Sequence, residues 1–174
     1  MSTKPGQLHV YRPGKLDDNR SLATVDLSVN EDIPLGWSAD LQGVYDSSVP
    51  GVTHLRRMPT IIPIITLKHL REKPPSEHRL EVVQRRDYLI LQAIQSPTLV
   101  YSPSEYTMQR GFYRQAYAAR DEYRPDCWIL VVLSLAQLMG RNAQYHQVVT
   151  IHPANTSKFY NANNVLVARW MEVK

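Results

Sequence analysis

The longest nearly unbroken apolar run in the chain is Cys127-Trp128-Ile129-Leu130-Val131-Val132-Leu133-Ser134-Leu135-Ala136. It is too short to cross a bilayer, and its adjacent valines beside an isoleucine favour an extended segment covered on both faces. A central strand is expected there. Upstream, Leu8–Arg12 reads as a short strand. Ser21–Val29 alternates, with Leu22, Thr24 and Asp26 against Ala23, Val25, Leu27 and Val29, as a half-buried strand does. Ile33-Pro34-Leu35-Gly36 breaks this pattern, and Trp37–Tyr45 suggests another strand. Ile61–Thr66 is strand-like, although Pro63 confines it to an edge or a bulge because proline cannot donate to a ladder. Thr66 is placed to cap a short helix through Leu70, stopped by Pro74-Pro75. Ser76 is a good N-cap, Glu77 suits the first turn, and a helix is expected to run to about Gln95. Its core stripe is Leu80, Val83, Ile90, Leu91 and Ile94, with a gap at Asp87.

Thr98–Tyr101 predicts a strand. Residues 104–124 admit two readings. Met108, Phe112, Ala116, Ala119 and Tyr123 fall at helical spacing, but Gly111 and Phe112-Tyr113 weaken a helix, and 111–117 is favoured as a strand. Gly140-Arg141-Asn142 marks a hairpin turn after the central run. The returning strand, Tyr145–Ile151, puts His146, Val148 and Thr150 on one face, with His152 continuing that face if Pro153 does not end the strand first. Ala154–Asn164 is loop-like, and Val165–Trp170 closes as a final strand. The pattern predicts an α+β fold: an antiparallel β-sheet packed by one main helix over about 76–95, with a β-rich N-terminal extension. The expected division is an extension over 1–50 and an α+β domain over 51–174, joined through the turn-rich stretch 46–60.

Composition narrows this further. The 174 residues suffice for one domain with an appendage. Cys127 is the only cysteine and lies inside the apolar run, where a small buried hydrophobe is expected. No secretory apolar region opens the chain and no apolar run approaches membrane length, so a soluble cytoplasmic protein with no membrane partner is expected. The net charge of +4 is unevenly divided. Residues 1–49 hold four Lys/Arg against seven Asp/Glu, and 50–174 hold sixteen against nine. The basic part suits a polyanion or plain solubility, and the acidic N-terminal region suits a protein partner.

Candidate chemistry follows from that charge. No phosphate-cradling glycine loop, Gly-x-Ser-x-Gly or Cys-x-x-Cys occurs, and His9, His54, His69, His78, His146 and His152 lack the i,i+4 spacing of a helical metal pair. No cofactor or metal is expected. Arg110, Arg114, Arg120 and Arg124 interleave with Tyr106, Tyr113, Tyr117 and Tyr123. Arginine clamps phosphate and tyrosine stacks on an unpaired base, which suggests RNA, with Arg110, Tyr113 and Tyr117 as contacts. Tyrosines at the core edge beside snorkelling arginines would give the same pattern. On the expected helix, His78 and Arg85 share a face that suits phosphate, whereas Arg79 and Arg86 read as solvated surface.

The order Ile64-Ile65-Thr66 and His69-Leu70, then His78-Arg79 opening a helix that ends in Ile94-Gln95-Ser96-Pro97-Thr98-Leu99-Val100-Tyr101, resembles the phage-type nucleases grouped with barnase, EndoU, the tRNA-cleaving colicins and RelE. Leu130-Val131-Val132 and Val148-Val149-Thr150 are similar to that superfamily's last two core strands, so the resemblance covers about 61–153. It implies metal-independent RNA cleavage. A base takes the ribose 2′-OH proton, the oxygen attacks phosphorus, and an acid protonates the leaving 5′-oxygen to give a 2′,3′-cyclic phosphate. Histidine suits either proton role and arginine stabilises the phosphorane. By position, the resemblance makes His78 the acid–base residue, Arg114 (then Arg110) the phosphate clamp and Thr150 the phosphate-bonding hydroxyl. His146 or His152 would supply the second proton-transfer group. RNA, tRNA among the candidates, is the implied partner, in a toxin-like or phage-derived nuclease. His78 follows Glu77 and precedes Arg79, which reverses the superfamily's Arg-His pair. The rival expectation is a non-catalytic module that binds RNA or a protein through the same basic face.

Overall fold

A computed structural model describes residues 24–41, 56–72, 76–101, 114–137, 144–167 and 170–173, with backbone alone for 76–78, 114, 136–137 and 144. The strands in chain order are β1 (Ile33–Trp37), β2 (Pro59–Ile62), β3 (Leu99–Tyr101), β4 (Arg114–Arg120), β5 (Trp128–Gln137), β6 (Gln144–Ala154) and β7 (Met171–Glu172). The helices are α1 (Ile64–Glu72), α2 (Ser76–Arg85) and α3 (Tyr88–Gln95). The strands form one sheet in the order β1-β2-β6-β5-β4-β3-β7. The class is α+β, but the sheet is mixed, because β2 runs parallel to β6 while the other pairs are antiparallel. A parallel neighbour requires a crossover, which α1–α3 and the strands between β2 and β6 supply.

β5, which takes up the apolar run from Trp128 onward, is the middle of this sheet, and each of its faces is buried by a different part of the chain. Ile129, Val131 and Leu133 pack with Leu67, Val83, Ile90 and Ile94 of the helices, and with Val25, Leu27 and Leu35. Trp128 and Leu130 face the other way, into a smaller cluster with Leu99, Ala118 and Phe159. Trp128 anchors that cluster: its ring centroid is 4.5 Å from that of Phe159, and its indole N–H donates to Thr156 Oγ1 at 3.0 Å. Each fully buried aliphatic side chain contributes about 1.5–3 kcal/mol, which is why a two-faced strand dominates the core.

The single helix expected over 76–95 is two helices. At the junction Arg86 N–H donates to both Val82 O and Val83 O, and Asp87 N–H donates to Gln84 O, so the chain tightens into i→i+3 bonds. The N-terminal segment docks at this break. Val25 N–H donates to Asp87 Oδ2 at 3.0 Å, Leu27 N–H donates to Gln84 Oε1 at 2.9 Å, and Gln84 Nε2 returns a bond to Val25 O. The gap at Asp87 is thus a docking point for a neighbouring backbone.

The N-terminal third differs most from expectation. Residues 24–32 form turns and bends, whose amides bond side chains in place of a ladder. The alternation at 21–29 still buries Val25 and Leu27. The stretch expected to break a strand, Ile33-Pro34-Leu35-Gly36, is itself β1, an edge strand with a register shift at Pro34/Gly36 and Gly36 at φ 78°. Because β1 shares the sheet and Leu35 shares the core, residues 24–41 belong to the same unit as the rest. The strand expected at 8–12, the segment 42–55 and the turn 138–143 lie outside the described residues.

Two prolines mark further departures. β2 is flanked by strands on both sides and ends before Pro63, whose carbonyl accepts Thr66 N–H as α1 begins. β6 continues through Pro153, beyond its pairing with β2 at Thr60↔His146 and Ile61↔Gln147. A strand tolerates proline where one side has no strand neighbour. Near the C-terminus, the strand expected at 165–170 is reduced to a Tyr160↔Leu166 bridge, and β7 follows it at Met171–Glu172.

Candidate functional site

Once β2 stops pairing, the outer edge of β6 presents backbone carbonyls that must find donors elsewhere. Side chains of α1, of α2 and of the turn after α2 supply them. Thr66 Oγ1 of α1 donates to Val148 O at 2.6 Å. Arg79 of α2 donates from Nη2 to Ile151 O at 2.8 Å and from Nε to the same oxygen at 3.3 Å. Arg86 Nη1 donates to Ala154 O at 3.0 Å and to Trp128 O at 2.9 Å. α1 is itself fixed at its start, where Asp32 Oδ1 accepts Ile64 N–H at 2.8 Å.

A bulge in β6 gives this edge its chemistry. On β5, Val132 and Leu133 are adjacent, but their partners are Thr150 and Val148, which leaves Val149 as the extra residue. Neighbours on β5 point to opposite faces, so Val148 lies on the helix-covered face and Thr150 on the other. The expected common face for His146, Val148 and Thr150 is therefore broken. The bulge brings Gln147, Val149, Thr150 and His152 to the same side, where they meet Ile65, Thr66 and His69 of α1 and Arg79 of α2 around a cleft of about 490 Å³.

Within the cleft, Arg79 Nη2 also donates to Thr150 Oγ1 at 2.6 Å. Burial lowers the pKa of the Arg79 guanidinium, but an arginine of this kind keeps its charge at any physiological pH. Among the described residues Arg79 Nη1 makes no hydrogen bond, so its N–H groups are the ones that a ligand can take. His69 is exposed at the rim, three residues after Thr66 and so on the same side of α1, and His152 is half-buried. Ile65, 68% exposed, adds an apolar wall. The cleft volume falls in the usual range for small-ligand sites. It unites two imidazoles, a held guanidinium, two hydroxyls and an amide, a set suited to binding a phosphodiester and moving protons beside it.

Of the expected site residues, Thr150 and His152 line this cleft. His146 does not: it is fully buried on the opposite side of β6, with its ring edge-on to Tyr117 at 6.2 Å. Tyr117 is also fully buried, so its ring offers no face to a base. Arg85 projects into solvent in an ion pair with Glu81, on a different face of α2 from Arg79. The expected assignment of the arginines is thus reversed, because Arg79 and Arg86 turn in to β6 while Arg85 is the solvated one. His78 and Arg114 lie on α2 and β4 by their backbone, with their side chains outside the description, and Arg110 and Tyr113 lie outside the described residues.

His69 and Arg79 line the cleft but are not among the site residues expected from the sequence. The spacing of Thr66 and His69 was a usable signal, but the bulge that brings β6 to them has none. His69 and His152 are the only metal-ligating side chain types among the described lining residues, and no group of three or more His, Cys, Asp or Glu able to hold a metal occurs among the described residues. Away from the cleft, the Tyr88 hydroxyl donates to Asp121 Oδ2, and burial together with that carboxylate raises the Tyr88 pKa. Among the described residues no helix is long and apolar enough to cross a membrane. Comparison with protein-family models, curated proteins and solved structures gave no match.

Proposed function

We propose that the cleft between α1, α2 and the bulged edge of β6 binds RNA and cleaves it without a metal, through attack of the ribose 2′-oxygen on the adjacent phosphorus. The observation that carries this reading is the meeting of His69, His152, Arg79 and Thr150 around one cleft. One imidazole takes the 2′-OH proton and the other protonates the leaving 5′-oxygen, which yields a 2′,3′-cyclic phosphate. Arg79 Nη1 and the Thr150 hydroxyl bond the non-bridging oxygens as charge grows on them. Ile65 and Val149 pack against the sugar or base. His78 precedes Arg79 in α2 and belongs in the same set of variants.

A second reading, RNA binding without cleavage, is favoured by the commitment of Arg79 Nε and Nη2 to Ile151 O and Thr150 Oγ1. Such a guanidinium is a fixed anchor for phosphate whether or not a bond breaks. The two separate when tRNA and mixed RNA are incubated with the protein in EDTA. The catalytic reading expects fragments with cyclic-phosphate ends and intact DNA. Retained RNA binding without fragments selects the second reading, and neither binding nor fragments removes both.

A further inference from the structure

A second groove of about 590 Å³ adjoins the cleft and shares Arg79 with it. Its cations are Arg79 from α2, Arg86 from the turn between α2 and α3, and Lys158 from the 3₁₀ turn Thr156–Lys158, and no carboxylate lines it among the described residues. The geometry points to this groove as a second phosphate subsite, so that the ligand is a single-stranded polynucleotide lying along β6 from Thr150 past Ala154. This rests on the reading of the neighbouring cleft as a phosphodiester site.

Three features build the groove. Arg79 and Val82, three apart, share one face of α2, and Arg86 in the turn that follows joins them in lining the groove toward the end of β6. Arg86 is held in place because Nη1 bonds Trp128 O and Ala154 O, and among the described residues its Nε and Nη2 make no hydrogen bond. A pinned guanidinium with spare donors loses little freedom on taking a phosphate, whereas the exposed Lys158 supplies a mobile point charge across from it. The path is also long enough. At a rise of about 3.3 Å per residue, Thr150 to Ala154 spans roughly 13 Å, more than one nucleotide. The cleft holds the reacting phosphate, and the groove holds a neighbouring one.

The test is fluorescence anisotropy with a labelled, uncleavable 2′-O-methyl RNA octanucleotide, read from 50 to 200 mM salt, for the wild type, Lys158→Glu and Arg85→Glu. Arg85→Glu makes the same charge change on the other face of α2, outside the groove. Loss of one phosphate contact lowers the salt slope by about 0.7, so the wild type should lose about 2.6-fold more affinity than Lys158→Glu across that range. Arg85→Glu should keep the wild-type slope. Equal slopes for the wild type and Lys158→Glu, or an Arg85→Glu effect as large, would overturn the subsite. Cleavage of RNA together with Lys158-independent binding removes the groove and leaves the catalytic reading. Lys158-dependent binding with no cleavage in EDTA does the reverse.

Discussion

Replacing Thr66 with valine removes a single oxygen at the point where α1 is fastened to β6. Thr66 is 4% exposed, and its hydroxyl donates at 2.6 Å to the carbonyl of Val148, itself fully buried. Valine keeps the branched shape, so the change isolates the donor. A lost hydrogen bond costs about 1 kcal/mol, and leaving a buried carbonyl without its partner raises the range to about 1–3 kcal/mol. The added methyl recovers part of this, so a net loss of about 2 kcal/mol is expected. For a chain of this size that lowers Tm by about 4–8 °C. Thr66→Ser keeps the hydroxyl and loses one methyl, and should cost only about 1 kcal/mol. Thermal and urea unfolding followed by circular dichroism would measure both. A valine variant as stable as the wild type, or a serine variant less stable than the valine one, would refute the view that this bond holds α1 against the bulged edge.

Other expectations follow from the core and from the turn after β4. Leu133→Ala, at a fully buried site on the helix-covered face of β5, should cost about 2–5 kcal/mol, measured by urea unfolding; a loss under 1 kcal/mol would mean that this face is not tightly packed. The Asp121 carboxyl is held below its ordinary pKa by the Tyr88 hydroxyl and by the N–H groups of Tyr123 and Arg124. Its contribution is therefore full above the unfolded-state value near 3.9 and is lost as pH falls through the lower folded-state value. Asp121→Asn should lose stability at pH 7 and show a flatter decline below about pH 4 than the wild type, by urea unfolding across pH; parallel acid limbs would contradict the assignment.

The apolar run at 127–136 was legible because a strand buried on both faces has no polar side to disguise it. The strand favoured at 111–117 overlaps β4 at 114–120 only in part, because β4 is buried on both faces and the helical spacing through Ala116 and Ala119 competed with it, whereas the partner strand β6 was legible from its alternation. The helix break at 86–87 was visible only as a gap, since the backbone that docks there, at Val25 and Leu27, lies sixty or so residues away in sequence. β1 was misread because Pro34 and Gly36 are turn residues by local preference, and an edge strand with a register shift accommodates both. Thr150 and His152 were found by type, but the company they keep was not. An extra residue at Val149 leaves no mark in the alternation, yet it decides that His146 goes into the core while His152 faces the cleft. Arg79 and Arg86 looked like surface charges because nothing local shows that the edge of β6 lacks donors.

His69 and His152 are proposed to move the protons of one RNA cleavage reaction. That assignment is tested most directly by the pH–rate profile of tRNA cleavage in EDTA, with product ends identified, for the wild type, His69→Ala, His152→Ala and the double variant. Cyclic-phosphate ends and a bell-shaped wild-type profile are expected, with one limb lost in each single variant, a rate loss of about 10²–10⁴-fold, and a double variant little slower than the worse single one. Cleavage that persists unchanged in the double variant, or a wild type that releases no cyclic phosphate from RNA it binds, would contradict that assignment.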